Sequence, residues 1–393
     1  MHDHRPLTYR PWKTALVLSG GGARAAYQVG VLRAIANLLP KDSPNPFQII
    51  SGTSAGALNA VALATYAQRM RTGVRSLEHV WGNIQSSQIY KLDSAGLISS
   101  ASNWVFSFMA ARQRNTPVSL LNNAPLTELL ESVLRLERIE EHIASGLLDA
   151  ISVTTSGYTS GQSVSFFQGK PELNNWQFPK RVGIKTKLNF KHLLASAAIP
   201  TLFPAVKINR EYFGDGAIRQ LSPLSPAIHL GAERILVIGG HASRYHRPMK
   251  DDPVSHPSLS QIIGHILNSA FIDTLPGSIA TLQRMNRMLA HVPPEVRSEE
   301  DKNLRHIDLL AILPSQDITE IAAAHLAELP KAIRLFSKDT GSSTMLSLLL
   351  FEKGFCDELM TLGFTDAMEK SSQILEFFSP TSTSASTRTA ELG

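Results

Sequence analysis

An α/β fold, with a mostly parallel sheet flanked by helices and an α-helical extension on its C-terminal side, is what this sequence predicts. Two consecutive strand–turn–helix units near the N-terminus carry that reading, together with later apolar runs of strand length and a helical period across the last third. The size agrees: 393 residues, 43% of them hydrophobic and 18% charged, can bury a substantial core and exclude wholesale disorder or a small disulfide scaffold.

The first unit opens with a short apolar run, Lys13 to Ser19, that ends in Gly20-Gly21-Gly22. From Arg24 the period changes, and Ala25, Ala26, Val29, Leu32, Ile35, Ala36 and Leu39 recur at helical spacing until Pro40. The turn-rich stretch Lys41 to Pro46 leads into a second strand, Phe47 to Ser51, then Gly52-Thr53-Ser54-Ala55-Gly56 and an Ala/Leu-rich helix to about Met70. Leu148 to Thr155 and Ser163 to Phe167 read as strands about a Gly/Ser turn, and Leu188 to Ala198 as a helix stopped by Pro200. Val206-Lys207-Ile208 and Glu211-Tyr212-Phe213 flank Asn209-Arg210 as a hairpin that leads into Gly214-Asp215-Gly216. Arg234 to Gly239 is a buried strand by its Ile-Leu-Val-Ile core. Beyond Ser258 the pattern is helical, broken by Ile307 to Leu313, a run suited to rejoin the sheet, and the apolar helix Met345 to Phe351 is expected to be buried. The expected organisation is an α/β body over 14–240, a His/Pro/Ser/Asp-rich loop over 241–260, a mainly helical extension over 261–378 and a Ser/Thr-rich disordered tail over 379–393.

Composition narrows the function classes. The single cysteine, Cys356, leaves no intramolecular disulfide, which makes the reducing cytoplasm the expected location. No run reaches the ~18–20 apolar residues of a spanning helix. Arg5, Arg10 and Lys13 ahead of Ala15 to Leu18 mimic a signal peptide, but the three glycines interrupt its apolar core. The 38 basic and 33 acidic residues are scattered without a basic run, so no nucleic-acid partner is expected.

Three elements carry chemistry. Gly52-Thr53-Ser54-Ala55-Gly56 matches the G-x-S-x-G elbow, where a serine sits on a sharp strand-to-helix turn with its hydroxyl presented for attack; the competing reading is a helix N-cap serine. Gly20-Gly21-Gly22-Ala23-Arg24 is a second glycine turn at a helix start. As a dinucleotide loop it is weakened by Ala25 at the third glycine position and by the lack of an acidic residue on a following strand end. A Walker A loop is excluded, because no Gly-Lys-Ser/Thr follows. Glycine amides aimed at an anion remain, and beside a serine nucleophile that anion is a tetrahedral oxyanion. Phe213-Gly214-Asp215-Gly216-Ala217 is the third, an aspartate after a strand that reads either as a turn residue or as a partner for Ser54.

In this order, and with Ala195-Ser196-Ala197-Ala198-Ile199-Pro200-Thr201-Leu202-Phe203-Pro204 between the second and third, these elements resemble the patatin-like phospholipase family over about residues 14–240. The resemblance implies a serine hydrolase of lipid acyl esters (phospholipids, lysophospholipids or neutral glycerolipids) with Ser54 as nucleophile and Asp215 as its base. It further implies an oxyanion hole over Gly20, Gly21, Gly22, Ala23 and Arg24, with Gly52, Gly56 and Gly216 as elbow and turn glycines. Ala25 departs from the glycine usual after that arginine. No cofactor and no metal are implied; the partner is the lipid itself, reached by peripheral contact with a membrane. A Ser54-Asp215-His241 triad, a catalytically silent lipid-binding protein and a nucleotide-binding protein stay open as other readings. The stripe Leu97, Ile98, Ala101, Trp104, Val105, Phe108 and Met109, followed by Arg112 and Arg114, is a lid, a membrane contact or a core helix.

Overall fold

The computed structural model describes residues 12–92, 119, 121–240, 274–293, 304–330, 334 and 343–379. The stripe at 97–112, His241 with the loop after it, and the tail from 380 lie outside the described residues.

The strands are β1 (Thr14–Leu18), β2 (Ile49–Thr53), β3 (Lys91–Leu92), β4 (Leu121–Asn122), β5 (Ala150–Gly157), β6 (Ser163–Gly169), β7 (Trp176–Phe178), β8 (Arg181–Lys185), β9 (Val206–Ile208), β10 (Glu211–Asp215), β11 (Arg234–Ile238) and β12 (Asp308–Ile312). The main sheet follows the order β12-β11-β1-β2-β5-β6-β8-β7. Its first five strands are all parallel. β6 turns back antiparallel to β5, and the β9–β10 hairpin joins β5 separately. The hairpin turns at Asn209, in the left-handed region at φ 54, which asparagine tolerates.

The helices are α1 (Ala26–Leu38), α2 (Ala55–Ala64), α3 (Met70–Trp81), α4 (Ser86–Ile89), α5 (Ala124–Val133), α6 (Glu137–Ala144), α7 (Phe190–Ser196), α8 (Ser225–His229), α9 (Thr274–Leu289), α10 (Ile318–Ala324), α11 (Ser343–Leu349), α12 (Lys353–Glu369) and α13 (Ser371–Phe378). One expected helix divides. The run to Met70 stops at Ala64, where Thr65 turns its hydroxyl back onto the Ala62 carbonyl at 2.8 Å, and α3 starts afresh after a turn. Strands β7 and β8 have no counterpart in the sequence reading. They are short and mostly exposed or half-buried, so no alternation of buried apolar and exposed polar residues marks them, and Lys180 at φ 62 turns the chain between them.

Strand periodicity sorts the core into two layers. Leu16, Leu18, Ile50, Val153, Leu236 and Ile238 point to one face and pack under α1, α2 and α12. Ala15, Val17, Ile49, Ala150, Ile235 and Val237 point to the other and meet α8 and α9. The last helices belong to the first layer: the buried Tyr27 hydroxyl on α1 donates to Asp366 Oδ2 on α12 at 2.9 Å, and Leu346 to Phe351 are buried.

Candidate active site

The register of the sheet decides which residues meet. β2 pairs with β5 in parallel from Ile49 opposite Ala150 to Thr53 opposite Thr154. β10 pairs with β5 antiparallel from Phe213 opposite Gly157 to Asp215 opposite Thr155, while β6 occupies the other edge. β2 and β10 therefore run towards each other along one edge of β5 and meet where Thr154 gives way to Thr155. Ser54 is the first residue past β2 and Asp215 the last of β10. The Ser54 hydroxyl donates to Asp215 Oδ2 at 2.6 Å, and both side chains are buried.

Ser54 has φ 54 and ψ −133, a conformation that costs a non-glycine residue roughly 1–3 kcal/mol and persists only where its surroundings over-determine it. They do so here. The Ser54 amide donates to Ser196 Oγ at 2.9 Å, and that hydroxyl donates to the Thr154 carbonyl at 2.6 Å. On either side, the chain packs too closely for side chains: a Cβ on Gly52 would lie 2.5 Å from Ala57 Cα, and one on Gly56 would lie 2.5 Å from the Leu18 carbonyl oxygen. Ser54 occupies the N-cap position of α2, yet its hydroxyl caps nothing and goes to Asp215 instead.

Asp215 is fully buried and held on all sides. Oδ1 accepts the Ala217 amide at 2.9 Å, as the N-cap of a 3-10 turn over Gly216–Ile218. Its own amide donates to the Ala198 carbonyl at 2.8 Å, and Ser156 Oγ donates to its carbonyl at 2.8 Å. Burial pushes its carboxyl from 3.8 up to about 7, against the opposing pull of the hydrogen bonds from Ser54 and Ala217. Below it, the Thr53 hydroxyl donates to Gln220 Oε1 at 2.6 Å, and Gln220 Nε2 to Thr154 Oγ1 at 3.3 Å.

The glycine loop lies against this pair. A Cβ on Gly20 would fall 3.1 Å from Ser54 Cβ. Among the described residues the amides of Gly21 and Gly22 donate to no acceptor. The Arg24 amide is committed, donating to the Gly21 carbonyl at 3.1 Å, so Arg24 serves the loop through its buried side chain, whose Nε donates to Ser347 Oγ at 2.8 Å. Ala23 is buried, and Ala25 sits at φ −66, ψ −9, a helical conformation in which alanine replaces glycine without strain.

Ser196, Thr154, Gln220 and Ser347 escaped sequence reasoning. Ser196 stands inside the proline-bearing segment quoted above, whose position was the only signal for it; the other three carry none. Among the described residues no group of three or more His, Cys, Asp or Glu could hold a metal ion, and no helix is long and apolar enough to cross a membrane. One turn along α2 from Ser54 begins a small apolar cavity of about 60 Å³, with Leu58, Ala62, Leu77, Trp81, Leu130 and Phe351 in its wall.

The family described as Patatin-like phospholipase matches residues 16–228. A curated relative from Pseudomonas aeruginosa, a cGAMP-activated phospholipase, is 26% identical over 212 residues, which are 54% of this chain and 54% of the relative. The chain thus spans about half the length of the curated relative it matches. Among solved structures, VipD from Legionella pneumophila is 13% identical with a TM-score of 0.38, covering 92% of this chain and 67% of that one. Human GIVD cytosolic phospholipase A2, in complex with methyl γ-linolenyl fluorophosphonate, is 14% identical with a TM-score of 0.42, covering 93% and 58%.

Proposed function

The chain belongs to the patatin-like phospholipase family, and on that premise we propose that it hydrolyses fatty-acyl esters of phospholipids, lysophospholipids or neutral glycerolipids through Ser54 and Asp215. The observation that carries the reading is the 2.6 Å hydrogen bond from the Ser54 hydroxyl to a buried carboxylate raised to about 7. A serine hydroxyl is a weak nucleophile at its free pKa, and an ordinary carboxylate is too acidic to accept its proton near neutrality. Burial of Asp215 brings its proton affinity to the working range.

In the proposed cycle, Ser54 Oγ bonds to the ester carbonyl carbon as its proton passes to Asp215 Oδ2. The negative charge that develops on the carbonyl oxygen meets the uncommitted amides of Gly21 and Gly22; loss of one such donor typically costs about 3–4 kcal/mol of transition-state stabilisation. Collapse breaks the bond to the alcohol, which leaves with the proton from Asp215. Water then repeats the sequence on the acyl-enzyme, with Asp215 again taking the proton, and the fatty acid departs.

Reaction with a fluorophosphonate probe tests the nucleophile. Labelling of the wild type that disappears in Ser54→Ala supports the reading, and absence of labelling in the folded wild type sinks it. Full turnover in His241→Ala with none in Asp215→Asn separates a Ser-Asp pair from a triad.

A further inference from the structure

The glycine loop is built from two distant parts of the chain. Gly22 has φ +54, and a Cβ there would run into the backbone carbonyl of Leu348 on α11. The neighbouring residue on α11, Ser347, is fully buried and its Oγ accepts Arg24 Nε at 2.8 Å across 323 positions of sequence. The Leu348 backbone against Gly22 and the Ser347 hydroxyl that accepts from Arg24, adjacent on α11, leave the loop little freedom to shift. Both contacts come from a helix well outside the matched residues 16–228.

We infer that Ser347 is a positioning residue for the reaction: through Arg24 it fixes the turn that aims the Gly21 and Gly22 amides, so that α11 completes the oxyanion hole from beyond the family-matched region. This rests on the reading of the glycine loop given under Proposed function. The physical reason is that oxyanion donors act by being held in place before charge develops; a donor that must be reoriented during the reaction loses most of its effect. Arg24 is the only residue of the loop with a long side chain, and its anchorage is what couples loop geometry to the C-terminal helices. Ser347 touches neither substrate nor Ser54 in this scheme, so its contribution belongs to turnover and not to substrate affinity.

The test uses the full chain with p-nitrophenyl butyrate as a soluble ester, comparing Ser347→Ala and Ser347→Cys with Tyr27→Phe. The last removes a buried hydrogen bond between α1 and α12 but leaves the loop alone. Ser347→Ala is expected to lower kcat on the order of tenfold with KM within about twofold. Tyr27→Phe should lower the melting temperature comparably and leave kcat within about twofold. Ser347→Cys leaves no cavity, being slightly larger than serine, while supplying only a weak acceptor, so it should follow Ser347→Ala in kcat, and it decides the matter if the alanine variant does not fold. A folded Ser347 variant with wild-type kcat overturns the inference, as does a loss of kcat no greater than that of Tyr27→Phe. Ser54→Ala distinguishes the two levels: if it retains turnover, the site reading falls and this inference with it, whereas an inactive Ser54→Ala beside an unimpaired Ser347→Ala removes this inference alone.

Discussion

Ser196 Oγ accepts the backbone amide of Ser54 at 2.9 Å. That bond is one of few that hold the strained elbow, and the same hydroxyl donates to Thr154 on the strand beside it. The proline-bearing segment, which begins in the last turn of α7, therefore reaches both members of the pair, since the Ala198 carbonyl accepts the Asp215 amide.

Ser196→Ala leaves a buried amide and a buried carbonyl without this partner, at about 1–3 kcal/mol for each. The expected outcome is a melting temperature lowered by several degrees together with a fall in kcat, because Ser54 is no longer held in its unfavourable conformation. Thermal denaturation and esterase assays on the same preparation check both.

Asp215 should make the fold less stable as pH rises. Its folded value near 7 lies above the unfolded value of 3.8, so its contribution is fully present below about 3.8 and is lost as pH rises through about 7. Complete ionisation of this buried group costs about 4 kcal/mol. Asp215→Asn, which keeps an acceptor for Ala217, is expected to melt higher than the wild type at pH 8 and to lose that advantage at pH 4. Equal melting differences at the two pH values would contradict the assignment.

With Asp215 as the base, only its ionised form can take the Ser54 proton. The pH dependence of kcat/KM is expected to rise with unit slope on the acid side and level off above about 7. A limb centred near 4 would mean that burial does not govern this carboxylate.

Gly56→Ala drives a methyl group into the Leu18 and Ser19 carbonyls, which are backbone and cannot rotate aside. Destabilisation of about 3 kcal/mol or more is expected, with loss of activity even in the folded fraction as α2 shifts away from β1. Chemical denaturation measures the first and active-site titration the second.

The elements that shape the site were legible because each had a local cause. Three glycines end β1, the turn residues from Lys41 to Pro46 precede β2, and Asn209 turns the β9–β10 hairpin; these preferences act within a few residues of chain. Ser54 and Asp215 could be singled out for the same reason, each lying in a short glycine-marked turn next to an apolar strand. Their contact is another matter. It depends on β2 and β10 stopping at adjacent residues of β5, Thr154 and Thr155, and that register is set by pairing across 101 residues for β2 and 56 to 60 for β10. The raised carboxyl of Asp215 likewise follows from burial, which no neighbouring residue in sequence supplies. Ser196, Gln220 and Ser347 are ordinary polar residues until folding leaves them without water, and only then does each hydrogen bond they make become obligatory. Local preferences along the chain set the parts and their order; the packed sheet sets which hydroxyl faces which carboxylate, and α11 sets what stands behind the loop.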